Sequence, residues 1–466
     1  MEKYDVLVVG ASTTGCWFAD QMAGKGFKVL VIEKQLPDDV SREYDIFHMG
    51  QADMEKTGLP VPEEGDPLRE FAFKGQPMHS PYGTYHKKAG AATVIGMHKH
   101  DYIMHQAELA KQKGAEFIYG APLTDLIFDD KGAVIGGKYK TDAGEQEVYA
   151  KIVADCSGIP SAARKRLPDT SCVDNLMLTP KNILYVVLYY IQFKDRTINP
   201  RELDGFYMQY KAWFAPAGKG YDGLYGVGGG YSCDYADASF KELYLKNVPT
   251  PEYDVLKVEK GMTPWHRVPY SFVDDGFIAM GDAAFLTKPT CGEGCTSSLV
   301  QGVIAVDVIS GLLKSDKPLT KENMWSINKR YADAQGIEFE SLRPLLVGLL
   351  KMNLDEAEYL FEKDVIFSEK ILGGIDDGIV LTPADTLVIA KGIIVGLLKG
   401  KLSLGSVITF LKGYLKSENI RKLYTNYPAT YAEFPEWKKK AEKAWQGVGD
   451  VSDICDPELV KKLGIK

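Results

Sequence analysis

The sequence lacks features that would identify several classes of protein. It has 55 basic against 63 acidic residues, a formal net charge of -8 over 466 residues, whereas a protein whose main partner is nucleic acid needs a basic surface. No run of about eighteen uncharged apolar residues, the length needed to cross a bilayer, is present. There is also no internal repeat. The sequence therefore predicts no nucleic-acid partner and no membrane-spanning helix.

Cysteines are few and widely spaced. Seven are present, an odd number, and the one close pair, Cys291 and Cys295, has no second pair to complete a zinc site. The opening residues, MEKYDVLVVG, carry an acid at position 2 and an apolar run too short for a secretory signal. We therefore expect reduced thiols, no metal site and a cytoplasmic location.

What the sequence does contain is three glycine-bearing motifs, each placed where a strand ends. The first is GASTTG, Gly10 to Gly15, between a buried-strand pattern and an amphipathic helix. Gly10 suits a tight turn, position 12 suits a close approach of the backbone to a diphosphate, and Gly15 suits close helix packing. Ser12 stands where glycine is usual, and we expect its hydroxyl to donate to phosphate.

The helix start and the next strand complete this first motif. Thr13 and Thr14 begin the helix, whose exposed N–H groups favour an anion. The following strand ends at Glu33, with Lys34 beside it, at the spacing of a ribose-binding carboxylate. This pattern predicts a dinucleotide-binding βαβ unit, and an ordinary strand–turn–helix is the alternative.

The second motif is VADCSGIPSAARKRL, residues 153–167. A strand ends at Asp155, Gly158 follows, and Ser161 and Arg164 are predicted to begin a helix. A capped helix start with no role in binding is an equally good interpretation.

The third motif is GFIAMGDAAFLTKPTCGEGCTSSLVQGVIAVDVI, residues 276–309. An acid at the mouth of a strand can accept from a ribityl hydroxyl, and the later glycines let the backbone lie against a flat ring. The helix that follows points its positive N-terminus at the pyrimidine oxygen of that ring.

The order of the three motifs resembles the glutathione-reductase-type FAD proteins of the p-hydroxybenzoate hydroxylase superfamily. Within it, GDAAFLTKPTCGEG and DCSGIPSAAR most resemble the geranylgeranyl reductase family. That family carries a Tyr-x-Trp-x-x-Pro-like substrate motif, which YKAWFAPAGKGYDGLYGVGGG approximates with one residue inserted. The resemblance covers roughly residues 1–315. It implies an FAD cofactor and substrate contacts from Tyr210, Trp213 and Pro216.

Two positions depart from the pattern of that family. Met49-Gly50 lies where some members have a cysteine–glycine step facing the flavin, and Lys99 lies where many have an arginine. The resemblance implies these FAD contacts: Gly10, Ser12, Thr13, Thr14, Gly15, Glu33, Lys34, Lys99, Asp155, Gly158, Gly281, Asp282, Pro289, Gly292, Gly294 and Cys295.

The predicted fold class is α/β, with three parts. A discontinuous Rossmann-like FAD-binding domain carries the glycine motifs, an antiparallel sheet forms a substrate domain, and the C-terminal region is helical. The boundaries are 1–60, 90–180 and 270–315 for the FAD domain, 61–89 and 181–269 for the substrate domain, and 316–466 for the helical domain.

Two further stretches bear on the substrate. Nine of the 26 tyrosines lie between Tyr185 and Tyr235, and they predict either an aromatic-lined cavity for a large apolar ligand or a sheet with solvated hydroxyls. Residues 386–417 carry five lysines and no acid. They form either a peripheral membrane contact or a core helix pair whose lysines extend to solvent.

The favoured function is reduction of carbon–carbon double bonds in an apolar, isoprenoid-like substrate by hydride transfer from N5 of reduced FAD. Cys291 is the predicted catalytic group, with a buried structural cysteine as the alternative. Because no second nucleotide motif is present, NAD(P)H or another reduced electron carrier is expected to dock transiently. The alternatives are a monooxygenase or halogenase, although the halogenase signature Trp-x-Trp-x-Ile-Pro is missing, and a lipid carrier that keeps FAD structurally.

Overall fold

The computed structural model describes residues 3–42, 45–199, 212–216, 218, 220–244, 251–373 and 382–465. The strands are β1 (Lys3–Val9), β2 (Val29–Ile32), β3 (Ile46–Gly50), β4 (Arg69–His79), β5 (His86–His98), β6 (Glu116–Ile118), β7 (Leu123–Phe128), β8 (Val134–Thr141), β9 (Gly144–Asp155), β10 (Ile183–Phe193), β11 (Ala212–Pro216), β12 (Gly223–Gly229), β13 (Tyr253–Pro264), β14 (Val273–Asp274) and β15 (Phe277–Ala279).

Helices are concentrated in the last third of the chain. They are α1 (Thr13–Ala23), α2 (Gln51–Thr57), α3 (Lys99–Gln112), α4 (Cys233–Ser239), α5 (Cys295–Lys314), α6 (Lys321–Met324), α7 (Ser326–Tyr331), α8 (Ile337–Leu350), α9 (Leu354–Glu362), α10 (Glu369–Gly373), α11 (Pro383–Leu398), α12 (Leu404–Thr425), α13 (Phe434–Trp445) and α14 (Pro457–Lys462).

A largely parallel sheet forms the N-terminal half of the core. Its strand order is β14-β15-β9-β1-β2-β6, with β8 pairing β9 and β7 pairing β8 at one side. Strand β1 lies parallel to both β2 and β9. Its residues Val6–Val9 are buried, as expected for a strand covered by helices on both faces. The carboxyl ends of β1, β9 and β15 therefore meet at one edge of the sheet.

Two antiparallel sheets lie beside this core. One has the order β11-β12-β10-β13 and falls within the predicted substrate domain. The other has the order β3-β5-β4, and its strand β5 crosses the boundary predicted between residues 89 and 90. After residue 316 the described residues form helices joined by loops, with no strand among them, and the predicted α/β class with a helical C-terminal region is confirmed.

The second motif folds differently from its prediction. Ser161 has a φ of 46° and only residues Arg164–Arg166 form a short 3₁₀ turn. The expected helix start is therefore wrong, because the left-handed conformation at Ser161 turns the chain before a helix can begin.

One of the described helices, α5, is long and apolar enough to cross a membrane by length and composition. Two thirds of its most apolar window, 67%, is buried inside the protein. Leu299, Ile304 and Ile309 belong to the core that also contains β1 and α1. This packing is that of a core helix.

Candidate active site: a dinucleotide cradle that opens into an apolar channel

The turn after β1 is built against the turn after β9. The two strands pair in parallel up to Val9 and Asp155, so the residues that follow them are neighbours. A Cβ at Gly10, whose φ is 104°, would lie 2.6 Å from the carbonyl oxygen of Cys156. A Cβ at Gly15 would lie 2.0 Å from the carbonyl oxygen of Gly10. Both positions thus require glycine, as the motif predicts.

Ser12 caps helix α1. Its hydroxyl oxygen accepts from the Gly15 N–H at 3.2 Å, and its hydroxyl proton is donated to the Cys156 carbonyl at 3.0 Å. The expected donation to phosphate is therefore wrong for this conformation, because the single hydroxyl proton is already used. The N–H groups of the first helical turn are left to face an anion.

Glu33 directly follows β2. Its carboxylate lies in the part of the cavity lined by the turns after β1 and β9, which we call the cradle. The side chain is 7% exposed. One oxygen accepts from the Ala11 N–H at 2.7 Å and the other from the Gln35 N–H at 2.9 Å. A carboxylate oxygen can accept more than one hydrogen bond. Glu33 therefore keeps the capacity to accept from both hydroxyls of a ribose.

Asp155, the last residue of β9, holds the loop of the second motif in place through hydrogen bonds. Its buried carboxylate accepts from the N–H groups of Ser157, Ala163 and Arg164, at 2.6–3.1 Å. It does not line the cavity, whereas Ser157 and Gly158 do. Asp155 therefore shapes the loop that lines the cavity, and the direct FAD contact predicted for it does not fit this geometry.

Arg164 connects the second motif to the third. It is fully buried, and its Nε donates to the carbonyl of Ala283 at 2.7 Å. Its guanidinium also lies 4.6 Å from the ring centroid of Phe285. Burial lowers the pKa of Arg164 to about 10, so the group remains charged near neutral pH.

The third motif begins with a 3₁₀ turn over Gly281–Ala284. Gly281 has a φ of 61°, and a Cβ there would lie 3.0 Å from Thr14 Oγ1, so this turn packs on the start of α1. Asp282 lines the cavity, and its Oδ1 lies 3.1 Å from the position of a Cβ on Gly294. The acid and the glycine loop thus face each other across a gap that a larger residue would close.

Two cysteines near the start of α5 lie in different environments: Cys291 in the preceding loop and Cys295 at the first position of the helix. Cys291 is exposed, so the alternative of a buried structural cysteine is wrong. Burial raises the pKa of Cys295 to about 12, which keeps that thiol neutral. Between them, the Glu293 carboxylate accepts from the N–H groups of Thr296 at 2.7 Å and Ser297 at 3.2 Å. Burial raises the pKa of Glu293 despite these donors.

The cradle is one end of a larger cavity with a volume of about 1410 Å³. This volume exceeds the roughly 300–1,000 Å³ of an ordinary ligand pocket. From the cradle the cavity passes between the β10–β12 sheet and the C-terminal helices. The apolar side chains of this second part, which we call the channel, are Leu184, Val186, Leu188, Trp213, Leu224, Leu342, Leu345, Leu346, Leu349, Ile366, Phe367, Ile371, Ile389 and Phe410.

The alternation of β10 decides which side chains face the channel. Leu184, Val186 and Leu188 line it, whereas Tyr189 and its neighbours on the other face pack into a separate core with Phe214 and Tyr225. The expected tyrosine-lined cavity is therefore wrong for the described residues, because the channel walls of this sheet are mainly aliphatic.

Trp213 is the exception among the predicted aromatic residues. It lines the channel, and a Cβ at Gly226 on the paired strand would lie 2.1 Å from the indole ring. The ring therefore lies flat over Gly226. Its Nε1 is buried and has no hydrogen-bond partner among the described residues.

The predicted site residues divide into those that line the cavity and those that do not. Gly15, Asp155, Gly281 and Pro289 shape it from behind, and Pro289 accepts from Trp265 Nε1 at 3.1 Å. Tyr210 lies outside the described residues, and Pro216 is the last residue of β11. The predicted residues that line the cavity are Gly10, Ser12, Thr13, Thr14, Glu33, Lys34, Lys99, Gly158, Trp213, Asp282, Cys291, Gly292, Gly294 and Cys295.

These residues fit FAD. Gly10 and Gly15 let the turn before α1 pack closely, the start of α1 can take a diphosphate, Glu33 can take the ribose, and Asp282 can take the ribityl chain. Thr290 Oγ1 in the flavin-facing loop is buried without a partner within the described parts of the chain, as expected where a ligand completes the hydrogen bonding.

Comparison with known proteins agrees with this site. No protein-family model matches the chain. A digeranylgeranylglycerophospholipid reductase from Sulfolobus acidocaldarius is 26% identical over 459 residues, covering 94% of this chain and 97% of that protein. A geranylgeranyl bacteriochlorophyll reductase-like structure from Thermoplasma acidophilum matches with a TM-score of 0.68 at 21% identity, over 86% of this chain and all of that one.

The chain is similar to a digeranylgeranylglycerophospholipid reductase over nearly its whole length. It is an FAD-dependent oxidoreductase. A flavin-dependent brominase shares the fold, with a TM-score of 0.61 at 18% identity over 84% of this chain and 98% of that one.

Several residues of the cavity were not predicted from the sequence. Ser157, Glu293 and Ser298 line the cavity beside the predicted cofactor contacts. Glu293 stands between the two glycines of the loop, and that position was a usable signal. The channel residues on α8 and α12 carried no signal, because their apolar pattern is the same as that of any packed helix.

Proposed function

We propose that this protein reduces carbon–carbon double bonds in the isoprenoid chain of a lipid. The observation that carries the proposal is the continuity of the cavity: the cofactor cradle opens directly into a channel with aliphatic walls. A long branched hydrocarbon matches those walls, whereas a small polar substrate would leave them in contact with water. The relatives named digeranylgeranylglycerophospholipid reductase support the same substrate class.

Reduced FAD, when bound, supplies the hydride from N5. The N–H groups at the start of α1 and the Glu33 carboxylate would hold the adenosine diphosphate part, and Asp282 would hold the ribityl chain. The loop from Thr290 to Cys295 would lie against the ring. Leu184, Leu188 and the leucines of α8 exclude water from the double bond, so that hydride is not lost to solvent.

Reduction of an alkene also consumes one proton for each hydride. We assign that proton to the Cys291 thiol, which lines the cavity and is exposed. The S–H bond breaks as the new C–H bond forms, and the thiolate recovers a proton from water at the exposed side. The neutral Cys295 is only half-buried but less open to solvent than Cys291, and we assign it no such role.

We propose that NAD(P)H or another reduced carrier delivers the electrons by transient docking. The sequence has no second nucleotide motif that would provide a dedicated domain for this donor.

The experiment is a single turnover without oxygen. The FAD-loaded protein is photoreduced and mixed anaerobically with a geranylgeranyl lipid, and flavin absorbance is followed. We expect reoxidation by the unsaturated lipid and none by its fully saturated counterpart. The contrary result is a reduced flavin that is not reoxidised by the unsaturated lipid and reacts only when oxygen is admitted. If oxygen or a halogen is then added to a ligand, the result would favour an activity like that of the brominase or monooxygenase whose structures share this fold.

A further inference from the structure

The helical hairpin formed by α11 and α12 exposes an unusual amount of apolar surface. Nineteen large apolar side chains are exposed in the described parts of the chain, and nine of them lie on this hairpin. Leu387 is 71%, Leu398 is 82%, Leu404 is 65% and Leu415 is 66% exposed. Single exposed leucines are ordinary, but a cluster of this kind marks a contact surface.

The exposed residues form one stripe on each helix. On α11 the positions are Leu387, Lys391, Ile394 and Leu398, and on α12 they are Leu404, Ile408, Leu411 and Leu415. Both series follow the spacing i, i+4, i+7, i+11, which keeps all four members on one side of a helix. We call these two stripes together the hairpin face.

Residues on the other sides of the same helices pack inside the protein. Ile393 of α11 and Val407 and Phe410 of α12 are buried in a core with residues of α9. The hairpin face is therefore not the packing side of a helix pair, and the alternative of a core pair with solvated lysines does not account for its leucines.

The charged side chains between residues 386 and 417 of the hairpin all have one sign. Residues 386–417 carry five lysines and no acid in a protein whose net charge is -8. The acids just outside this range are paired: Asp385 with Lys370 at 2.5 Å and Glu418 with Arg421 at 3.6 Å. Lysines beside exposed leucines suit a surface that is anionic outside and apolar inside.

The hairpin also forms a wall of the channel. Ile389 on α11 and Phe410 and Tyr414 on α12 line the cavity, one helical turn or less from members of the hairpin face. One side of the hairpin thus carries the exposed hairpin face, and another side lines the apolar channel.

We propose that the hairpin face rests on an anionic lipid bilayer, with its leucines inserted among the acyl chains and its lysines at the headgroups. A lipid can then pass from the bilayer along α11 and α12 into the channel. That passage rests on the proposed function, whereas the bilayer contact does not and can be measured without substrate or reductant.

The test uses the full-length FAD-loaded protein and sedimentation with vesicles. One set of vesicles contains equal parts of phosphatidylglycerol and phosphatidylcholine, and the other contains phosphatidylcholine alone. The charge variant is Lys399→Gln, Lys401→Gln, Lys412→Gln. The apolar variant is Leu387→Ser, Leu398→Ser, Leu404→Ser, Leu415→Ser. Each variant has a matched control with the same number of changes at exposed positions elsewhere. The control for the charge variant is Lys25→Gln, Lys131→Gln, Lys165→Gln. The control for the apolar variant is Val255→Ser, Leu256→Ser, Val258→Ser, Leu463→Ser.

We expect binding to the anionic vesicles and weak binding to phosphatidylcholine. The charge variant should lose roughly five-fold in affinity per lysine at low salt, the apolar variant should not sediment, and both controls should behave as wild type. Hydrogen exchange should slow in α11 and α12 when vesicles are added. FAD content and melting temperature confirm that each variant is folded.

Three results would overturn the proposal. They are equal sedimentation of wild type and folded hairpin variants, no binding of wild type to anionic vesicles, and exchange protection of α11 and α12 by a second copy of the chain in lipid-free protein. Binding of soluble short-chain phosphatidylglycerol without vesicle binding would also count against a bilayer surface.

Discussion

At the scale of single residues, Glu33 has two functions that a substitution separates. Its carboxylate fixes the Ala11 and Gln35 N–H groups and is placed to accept from ribose. Each charge-assisted hydrogen bond contributes about 1.5–3 kcal/mol, so Glu33→Ala should weaken FAD binding by roughly 10- to 100-fold. Flavin retention on gel filtration and calorimetric titration with FAD measure this.

A Glu33→Gln protein should bind FAD with intermediate affinity, and Glu55→Ala, at an exposed site on α2, should bind it normally. Release of FMN instead of FAD from the wild-type protein would show that the cradle has been misassigned.

Trp213 tests the channel beside the cofactor. Trp213→Ala removes a large apolar contact worth about 2–4 kcal/mol in the complex, which corresponds to roughly 30- to 1,000-fold in kcat/KM. FAD content should stay at the wild-type level, and Trp213→Phe should recover most of the activity. Loss of FAD from Trp213→Ala would instead mean that the indole supports the fold.

Cys291 tests the proton assignment. General acid catalysis contributes about 10²–10⁴-fold, so Cys291→Ala should lower the rate of alkene-dependent flavin reoxidation by at least about 100-fold. Hydride-independent properties, FAD affinity and the flavin spectrum, should not change. The matched control is Cys233→Ala, a thiol outside the cavity lining. Undiminished reoxidation by Cys291→Ala would move the proton donor to another cavity residue.

Glycines at positions that have no space for a side chain could be predicted from the sequence. Gly10 and Gly15 are needed because neighbouring carbonyl oxygens occupy the space of a side chain, and that need appears as a fixed spacing in the sequence. Ser12 illustrates the limit. Its hydroxyl had two competing partners, phosphate and the Cys156 carbonyl, and the choice depends on a strand 144 residues away.

At the scale of elements, the strands could be predicted from the sequence, but which face of each strand points into the channel could not. An apolar run such as β10 shows period two only weakly when both faces are buried. The sequence therefore predicted a sheet rich in tyrosine but not that Tyr189 and Tyr225 face away from the channel. Burial of hydroxyl-bearing rings in that second core raises the pKa of Tyr225 above its ordinary value.

Asp174 joins the loop after β13 to helix α13 through one carboxylate. It pairs with Arg267 at 2.8 Å, accepts from the Tyr270 N–H at 3.1 Å and lies 3.7 Å from Lys438 of α13. Burial alone would raise the pKa of Asp174, but the charge of Arg267 and the hydrogen bonds hold it below its ordinary value.

Because the folded-state pKa of Asp174 is depressed, its contribution to stability is present above the unfolded pKa of about 3.9 and is lost as the pH falls through the lower folded value. We expect Asp174→Asn to lower the free energy of unfolding by about 3 kcal/mol at neutral pH. The difference from wild type should shrink as the pH falls below about 4. Urea unfolding at several pH values measures it, with Asp142→Asn, at an exposed position, as the control. A constant difference at every pH would contradict the ionic role.

At the scale of the whole molecule, function depends on contacts that no local pattern contains. The channel brings Leu184 of β10, Leu345 of α8 and Phe410 of α12 around one space, although they are far apart in sequence. The motifs predicted the cofactor because each is a short, local device. The route of the substrate could not be predicted, because it is defined by how three separate units pack.

The central claim is that the chain adds hydrogen, and not oxygen or halogen, to an isoprenoid double bond. The most direct measurement is mass spectrometry of a geranylgeranyl lipid after anaerobic turnover with the chemically reduced, FAD-loaded protein. We expect a product that has gained two hydrogen atoms for each double bond consumed, with no product from the saturated lipid. A lipid recovered unchanged without oxygen, and carrying an added oxygen or halogen atom when air and halide are supplied, would contradict it.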